Sequence, residues 1–268
     1  MRRMTEREYR EMPGIRRSDL FKILESPEKF KYYLEHPEPP TKALAFGSLF
    51  HAMVLEPETV ERDFAVAPNV DRRTKFGKDM FAKFEKDSYG KIAVAQDMVD
   101  LAVEMRDAVA KHELASKLLR GQHEVAFSWK DDITGEMVKC KVDVFREFED
   151  KVRIVDLKST ENAETEAFTK AAINMGYDMQ AAMYSKIVEQ CTGKRVDFIF
   201  LAVEKKPPYA INILEADGPL MVYGYDKYRK CIGDYSLCKK DGNWYGYLGP
   251  KENINMLCLP SYLAKEII

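Results

Sequence analysis

The sequence predicts an α/β (α+β) fold in which a central mixed β-sheet is flanked by helices. Helical patterns come first, three strand patterns follow, and a helical block, two further strands and a last helix complete the order. Residues 196–203 (VDFIFLAV) are almost continuously apolar, which is typical of a strand buried on both faces. We expect a single domain over residues 1–268, with an N-terminal helical part at about 14–120 and a catalytic sheet with helices at about 121–268.

The N-terminal part begins with two predicted helices. The first covers residues 18–34, with Ser18 as its N-cap, and a cluster of prolines ends it. The second covers residues 42–55 and carries His51. The remaining predicted elements of this part are a short strand at 64–67 and helices at 75–87 and 92–119.

Strand patterns dominate the chain after Gly121. A polar turn at 132–135 separates the first two strands, and runs of alternating or continuous apolar residues mark the others. The predicted strands are 124–130, 137–145, 152–158, 196–203 and 209–214, and the predicted helical blocks are 164–190 and 217–239.

Two aspartates and a lysine lie inside neighbouring predicted strands, where charged side chains cost free energy. Asp156 and Lys158 project to one face of their strand because side chains alternate faces. If this strand pairs with the preceding one around the polar turn 146–151, the carboxylate of Asp143 joins them. A divalent metal ion would neutralise such a group.

Alternation also predicts the faces of the preceding strand. Asp143 shares a face with Lys141, and Val142 and Val144 project to the other face. We therefore expect these two valines to lie on the same side of the sheet.

These charged residues suit the hydrolysis of a phosphodiester. Asp143 and Asp156 could hold one or two Mg²⁺ ions, with the backbone carbonyl of Leu157 as a further oxygen ligand. Lys158 would orient the attacking water or offset charge in the transition state. A surface hairpin with a salt bridge explains the same pattern equally well, so both interpretations stay open at this point.

Other polar residues could join this site. His51 is an imidazole ligand that favours tolerance of Mn²⁺ beside Mg²⁺, although a lone histidine is more often an ordinary helix residue. Gln180 and Tyr184 share a helix face, and a glutamine amide can donate and accept at once; a solvated helix face would also explain the pair. Glu124, at the start of the first strand, is a further ligand or partner, or else a surface charge.

Composition excludes several classes of protein. No apolar run approaches the roughly 20 residues that span a bilayer, and the first residues lack the pattern of a signal peptide, so we expect a cytoplasmic protein without a membrane partner. Five cysteines without CxxC spacing favour reduced thiols over disulfides, a zinc site or an iron–sulfur cluster. Because the net charge is −2, a nucleic-acid ligand would require a local basic surface.

Taken in chain order, the polar residues resemble the RecB-like branch of the PD-(D/E)XK nuclease superfamily. They are His51, Glu124, Asp143, Asp156-x-Lys158 and Gln180-x-x-x-Tyr184. Within that branch the chain resembles the RecE-type exonuclease family. The stretches that carry this resemblance are residues 47–57 (GSLFHAMVLEP), 71–74 (DRRT) with 77–78 (GK), 155–160 (VDLKST) and 259–266 (LPSYLAKE). The likeness runs from residue 14 to residue 266, nearly the whole chain.

The resemblance implies a restriction-endonuclease-like core and an activity. That activity is ATP-independent, Mg²⁺-dependent 5′ to 3′ digestion of one strand of linear double-stranded DNA, which releases mononucleotides. It leaves a 3′ single-stranded tail for a RecT-type annealing protein in phage or prophage recombination and repair. A ring-shaped homo-oligomer around the DNA is also implied.

The resemblance also assigns roles to residues. It implies that His51, Asp143 and Asp156 bind the metal, that Lys158 is the catalytic lysine, and that Gln180 and Tyr184 lie beside the site. The sequence departs from the family where Lys141-Val142 replaces Arg-Pro, so no role is assigned to Lys141.

The residues that would contact DNA are predicted from charge and position. Arg17 and Ser18 begin the first helix, whose free N–H groups could bind a terminal 5′-phosphate, and Arg72 with Arg73 is a second phosphate contact. Each of these two groups is as readily an ordinary part of the surface. Two other functions stay open, namely a structure-selective or single-strand repair nuclease, and a non-catalytic DNA-end-binding module that recruits an annealing protein.

Overall fold

The computed structural model describes residues 2–4, 6–37 and 39–259. The prediction of one helix over 18–34 was wrong, because Ser26 and Pro27 divide this segment. The hydroxyl of Ser26 accepts a hydrogen bond from the backbone N–H of Lys29, and Pro27 occupies the first helical turn, so a new helix begins there. Ser18 is not an N-cap, since Arg16 holds that position. The elements of this part are β1 (Arg2–Arg3), α1 (Glu6–Glu11), α2 (Arg17–Ile23), α3 (Pro27–Glu35) and α4 (Lys42–Leu55).

A short two-stranded sheet follows α4 in the chain. The predicted helix over 92–119 was wrong at its start, because residues 92–94 pair as a strand with residues 64–66. The backbone of His112 then leaves the helical region and separates two helices. The elements are a 3₁₀ turn (Pro57–Thr59), α5 (Val60–Asp63), β2 (Phe64–Val66), α6 (Lys75–Asp87), β3 (Ile92–Val94), α7 (Gln96–Lys111) and α8 (Glu113–Leu118).

The central sheet confirms the predicted mixed sheet flanked by helices. Its strand order is β1-β4-β5-β6-β7-β8, in which β6 and β7 are parallel and every other neighbouring pair is antiparallel. The strands are β4 (Gln122–Lys130), β5 (Met137–Glu147), β6 (Lys151–Thr160), β7 (Arg195–Glu204) and β8 (Ile211–Glu215). The hairpin between β5 and β6 is the one that the sequence predicts.

The crossover from β6 to β7 consists of two helices where the sequence predicts one block. Gly176 separates them with a φ of +69°, and a Cβ atom there would lie 2.3 Å from the ring of Phe21. The helices of this half are α9 (Thr165–Asn174), α10 (Tyr177–Thr192) and α11 (Gly218–Asp241). None of the helices that the structure describes is long and apolar enough to cross a membrane.

Two hydrophobic cores cover the two faces of the sheet. One core contains residues of α2, α3, α10 and α11, and the other contains residues of α4, α7 and α8. Ile154 of β6 belongs to the first core, whereas Val155 and Leu157 belong to the second. By alternation, Asp156 and Lys158 face the α10 side.

The ladder between β4 and β5 is interrupted at Glu124 and Asp143. The registered pairs on either side are His123 with Val144 and Val125 with Val142. Glu124 has a φ of +53°, which is unusual for a residue with a side chain and marks a local distortion. Across this distortion, Val142 lies in the core of α10 and Val144 in the core of α4, so the prediction that they share a face was wrong.

Candidate active site

Three possible metal ligands meet where the distorted strands pass beneath α4. His51, Glu124 and Asp143 each offer one ligand atom, and these atoms lie within 4.8 Å of one another. The Nδ1 atom of His51 is 3.4 Å from Oδ2 of Asp143. The neighbour of His51, Phe50, is fully buried in the core between α4 and the sheet, which fixes the helix there. Glu124, for which the sequence leaves a surface role open, is buried and belongs to this group.

Burial dominates the electrostatics of this group. It is the main cause that raises the pKa of Asp143 to about 7, and the charge of Asp156 adds to the effect. Burial also raises the pKa of Glu124 and lowers the pKa of His51, which is lowered further by the charge of Lys158. Each shift disfavours the charged form of a group that lacks enough compensating charge.

The group therefore fits a hard divalent cation. Two carboxylates and an imidazole are suitable ligands, and a bound cation would offset the cost of holding both acids ionised in a buried site. The backbone of Leu157, also predicted as a ligand, touches the same group. Its N–H donates to Oδ2 of Asp143 across 2.8 Å. Its backbone also acts to raise the pKa of His51, against the larger effect of burial.

A second group of polar residues lies on the α10 side of β6. The ammonium of Lys158 is 2.5 Å from Oδ2 of Asp156, and both side chains are largely buried. The amide of Gln180 donates from Nε2 to Oδ1 of Asp156 across 2.5 Å and accepts at Oε1 from Lys158 across 3.3 Å. Burial acts to lower the pKa of Lys158, but the charges of Asp156 and Asp143 outweigh it and hold that pKa above its usual value. Lys158 is therefore positively charged at neutral pH.

The structure assigns Asp156 a different neighbourhood from that of Asp143. Its carboxylate contacts Lys158 and Gln180, whereas the three-residue group of possible metal ligands consists of His51, Glu124 and Asp143. The role of Asp156 as a metal ligand stays a prediction.

Arg17 reaches this second group from α2. Its guanidinium donates to Oε1 of Gln180 across 3.0 Å and to the carbonyl of Met175 across 3.1 Å. Sequence reasoning placed Arg17 at a terminal phosphate and did not connect it with Gln180. The sequence assigns no role to Lys141. In the structure its ammonium forms an ion pair with the carboxylate of Glu124, with 2.7 Å between the charged atoms.

Tyr177 is a neighbour of the site that the sequence interpretation missed. The ammonium of Lys158 lies 4.6 Å from the centroid of its ring. Its spacing of three residues before Gln180 places both on one face of α10, which was the available signal. Tyr184, one turn after Gln180, is half-buried, and burial raises its pKa.

The other predicted DNA contacts lie on the surface. Ser18, Arg72 and Arg73 are exposed, and the guanidinium of Arg72 lies 3.8 Å from the ring centroid of Phe81. Of the motif at 259–266, only its first residue is among the described residues. The DNA-binding roles of Ser18, Arg72 and Arg73 stay predictions.

Comparison with known proteins adds a family and a fold. The family described as a PDDEXK-like domain of unknown function (DUF3799) matches residues 17–255. No curated protein matches the chain. The chain is similar to the crystal structure of a candidate exonuclease from Eubacterium rectale, with 16% identity and a TM-score of 0.63 over 99% of this chain and 98% of that chain. It also matches a phage-related exonuclease from Haemophilus somnus 129PT, with 12% identity and a TM-score of 0.32 over 66% of this chain and 91% of that chain.

Proposed function

We propose that this chain, a deoxyribonuclease that belongs to the PDDEXK-like family DUF3799, digests linear double-stranded DNA as a 5′ to 3′ exonuclease. The family match agrees with the resemblance to PD-(D/E)XK nucleases that the sequence predicts, and nucleases of this kind depend on divalent metal ions. The proposed cofactor is Mg²⁺, with Mn²⁺ tolerated and no requirement for ATP.

One observation carries the proposal most directly: a group of metal ligands adjoins a buried, charged lysine. His51, Glu124 and Asp143 would hold the cation, which when bound activates water and polarises the phosphate. Lys158, on the neighbouring strand, supplies a fixed positive charge beside the same site. This combination suits hydrolysis of a phosphodiester, since charge develops on the phosphate oxygens in the transition state.

The remaining side chains hold Lys158 in place. Asp156 and Gln180 contact its ammonium, and the ring of Tyr177 lies against it. Because three neighbours limit its motion, the ammonium loses little freedom when a phosphate binds. Asp156 contributes negative charge that keeps Lys158 protonated.

The specificity for ends and the biological setting are proposed from the sequence resemblance. The product would be a 3′ single-stranded tail, passed to a RecT-type annealing protein during phage or prophage recombination in the bacterial cytoplasm. Arg72 and Arg73 would contact DNA phosphates, and a ring-shaped homo-oligomer would enclose the duplex.

The test is digestion of linear duplex DNA labelled separately at the 5′ or the 3′ end, in Mg²⁺. The 5′ label should appear early as mononucleotide, while the 3′ label stays on a long single strand and a closed circle stays intact. Lys158→Ala should lower the rate at least about 1000-fold. The matched control is Lys170→Ala, which removes an exposed lysine paired with Glu166 and should leave the rate unchanged.

Other outcomes would identify other functions. Early release of the 3′ label, or rapid cutting of the closed circle, would overturn the proposed polarity or end dependence. Preferential cutting of flaps or single strands would indicate a repair nuclease. Tight end binding without product in Mg²⁺ or Mn²⁺ would indicate a non-catalytic binding module.

A further inference from the structure

Helix α6 leaves large apolar side chains exposed to solvent. Of its thirteen residues, all of them described, only Gly77 is buried. Phe76 is 69% exposed and Met80 is 38% exposed, and their spacing of four places them on one face. Tyr89, two residues after the helix, is 93% exposed. These side chains contribute little to the folded core, so their burial by a binding partner would be favourable.

The same segment carries a net positive charge. From position 71 to position 87 there are six basic residues and four acidic residues, in a chain whose net charge is −2. The six are Arg72, Arg73, Lys75, Lys78, Lys83 and Lys86. We call the six cations, together with Phe76, Met80 and Tyr89, the α6 surface.

The cations of the α6 surface form no ion pairs with any residue that the structure describes. On other exposed helices the lysines pair with acids four residues away, as Lys170 does with Glu166 and Lys230 with Asp234. Lys75 has Asp79 at the same spacing and remains unpaired. The positive charge of this surface is therefore available to an external anion.

The α6 surface is also locally ordered. The hydroxyl of Thr74 caps the helix by accepting from the N–H of Gly77, and the guanidinium of Arg72 lies 3.8 Å from the ring centroid of Phe81. Phe81 in turn contacts Phe84, with 5.6 Å between ring centroids. A surface fixed in this way loses less conformational entropy on binding than a flexible loop would.

The position of α6 relates it to the active site. The helix connects β2 to β3, which pair in parallel, and β3 contacts α4, the helix that carries His51. Asp63 directly precedes β2. Arg62 is the main cause that lowers its pKa, and the charge of Lys141 contributes.

We propose that the α6 surface binds the single-stranded DNA that remains when the opposite strand is digested. This proposal rests on the proposed exonuclease function, because that reaction generates such a strand beside the site. The cations would contact the phosphates, while Phe76 and Tyr89 would stack on unpaired bases.

Single-stranded DNA fits this surface better than a duplex or a protein does. In a duplex the bases are already stacked on one another, so exposed aromatic side chains gain little from it. In a single strand every base offers a free face, and aromatic stacking beside a positive groove is the usual way of binding it. A protein partner could cover the same apolar side chains, but binding to it would not depend on unpaired bases.

The test measures DNA binding with the full chain carrying Lys158→Ala, so that the probe is not cut. Fluorescence anisotropy would compare a blunt duplex with the same duplex bearing a 20-nucleotide 3′ tail. Adding Phe76→Ala and Tyr89→Ala should weaken binding of the tailed probe about tenfold and of the blunt probe less than twofold. Tyr32→Ala, at another exposed aromatic residue, is the matched control and should change neither.

A second variant tests the charges. Adding Lys75→Gln and Lys78→Gln should lower the slope of log affinity against log salt for single-stranded DNA by about 1.4. Lys170→Gln is the control. Melting curves should show that these variants keep the stability of the Lys158→Ala parent, since every further substitution lies at an exposed residue.

Several outcomes would overturn the proposal. Unchanged affinity of the aromatic variant for the tailed probe would do so, and so would an equal loss on both probes. Unchanged DNA binding with loss of self-association in light scattering would assign the surface to a second copy of the chain. Because nothing is digested in this assay, failure here is distinct from failure of the proposed exonuclease activity, which end-labelled digestion reports.

Discussion

The amide nitrogen of Gln180 lies 2.5 Å from Oδ1 of Asp156, so that a side chain of α10 fixes a carboxylate of β6. The oxygen of the same amide accepts from Lys158 and Arg17. This arrangement requires one group that donates to an acid and accepts from two cations, which an amide can do and a carboxylate cannot. Gln180 thereby links α2, α10 and β6.

Gln180→Glu should lower the rate of DNA cleavage by about 100-fold or more. The new carboxylate would face Asp156 where a donor is needed, and the two like charges in a buried site would displace one another or take up a proton. Initial rates on linear duplex DNA measure the effect. Gln190→Glu, at an exposed position of the same helix, is the control. A parental rate for Gln180→Glu would show that the amide is not needed.

Binding of a divalent metal should raise the melting temperature of the protein. At a concentration 100 times the dissociation constant, a ligand stabilises the folded state by about 2.7 kcal/mol, which for a chain of this size corresponds to roughly 5–10 °C. Glu124→Gln should shift the Mg²⁺ or Mn²⁺ concentration for this increase upward by about 10- to 100-fold, because a buried carboxylate ligand is lost.

The control for the metal experiment is Glu104→Gln, which neutralises an exposed acid on α7. It should melt like the parent protein at every metal concentration. Addition of a chelator should return the parent protein to its lower melting temperature. If the parent melts at one temperature with and without metal, the group of His51, Glu124 and Asp143 does not bind the ion.

The sequence predicts most of the strands because alternation of apolar and polar residues is a local signal. It also selects the residues of the site, since an acid or a lysine inside a strand stands out from its neighbours. What local patterns cannot predict is contact between distant segments. Arg17 and Gln180 lie 163 positions apart, and the sequence around either residue gives no sign that the two side chains are in contact. The separation of Val142 from Val144 likewise depends on the backbone distortion at Glu124.

Some errors had local signals that were outweighed. The Ser26-Pro27 pair is a helix start, but the apolar spacing on both sides of it favoured one continuous helix. Gly176 similarly ends one helix before the next begins. The assignment of the whole chain to one domain stays a prediction.

Acid should destabilise the protein through Asp131, a buried residue after β4. Its carboxylate accepts from Thr134, the hydroxyl of Tyr228 and the guanidinium of Arg229. Burial, the largest influence, raises the pKa of Asp131, but the hydrogen bonds together outweigh it and lower that pKa below its usual value. The folded state therefore binds fewer protons than the unfolded state. This part of the stability is complete above about pH 4, near the unfolded pKa, and is lost as the pH falls below it.

Asp131→Asn should remove this acid-dependent part and lower the free energy of unfolding at pH 7 by about 3 kcal/mol, because it leaves Arg229 without its buried partner. Urea unfolding between pH 3 and pH 7 measures both effects. Asp132→Asn, at the exposed neighbouring position, should follow the parent curve. An identical pH dependence for Asp131→Asn and the parent would contradict this assignment.

Gly224→Ala should destabilise the protein by about 3 kcal/mol through the contact between α10 and α11. A Cβ atom at Gly224 would lie 2.1 Å from the carbonyl oxygen of Asp178, which is backbone and cannot turn aside. The helices would have to separate, and because Asp178 is two residues before Gln180, the amide would move away from Asp156. We therefore expect slower DNA cleavage even at temperatures where the variant remains folded. Gly233→Ala is the matched control, since it lies in the same helix and its added Cβ would have no atom within 4 Å beyond the neighbouring residues and backbone of that helix. It should stabilise the helix by up to about 1 kcal/mol. In urea unfolding, Gly224→Ala should be less stable than the parent and Gly233→Ala equally or more stable, and only Gly224→Ala should cleave DNA more slowly. Equal stability of Gly224→Ala and the parent would show that the two helices can separate without cost.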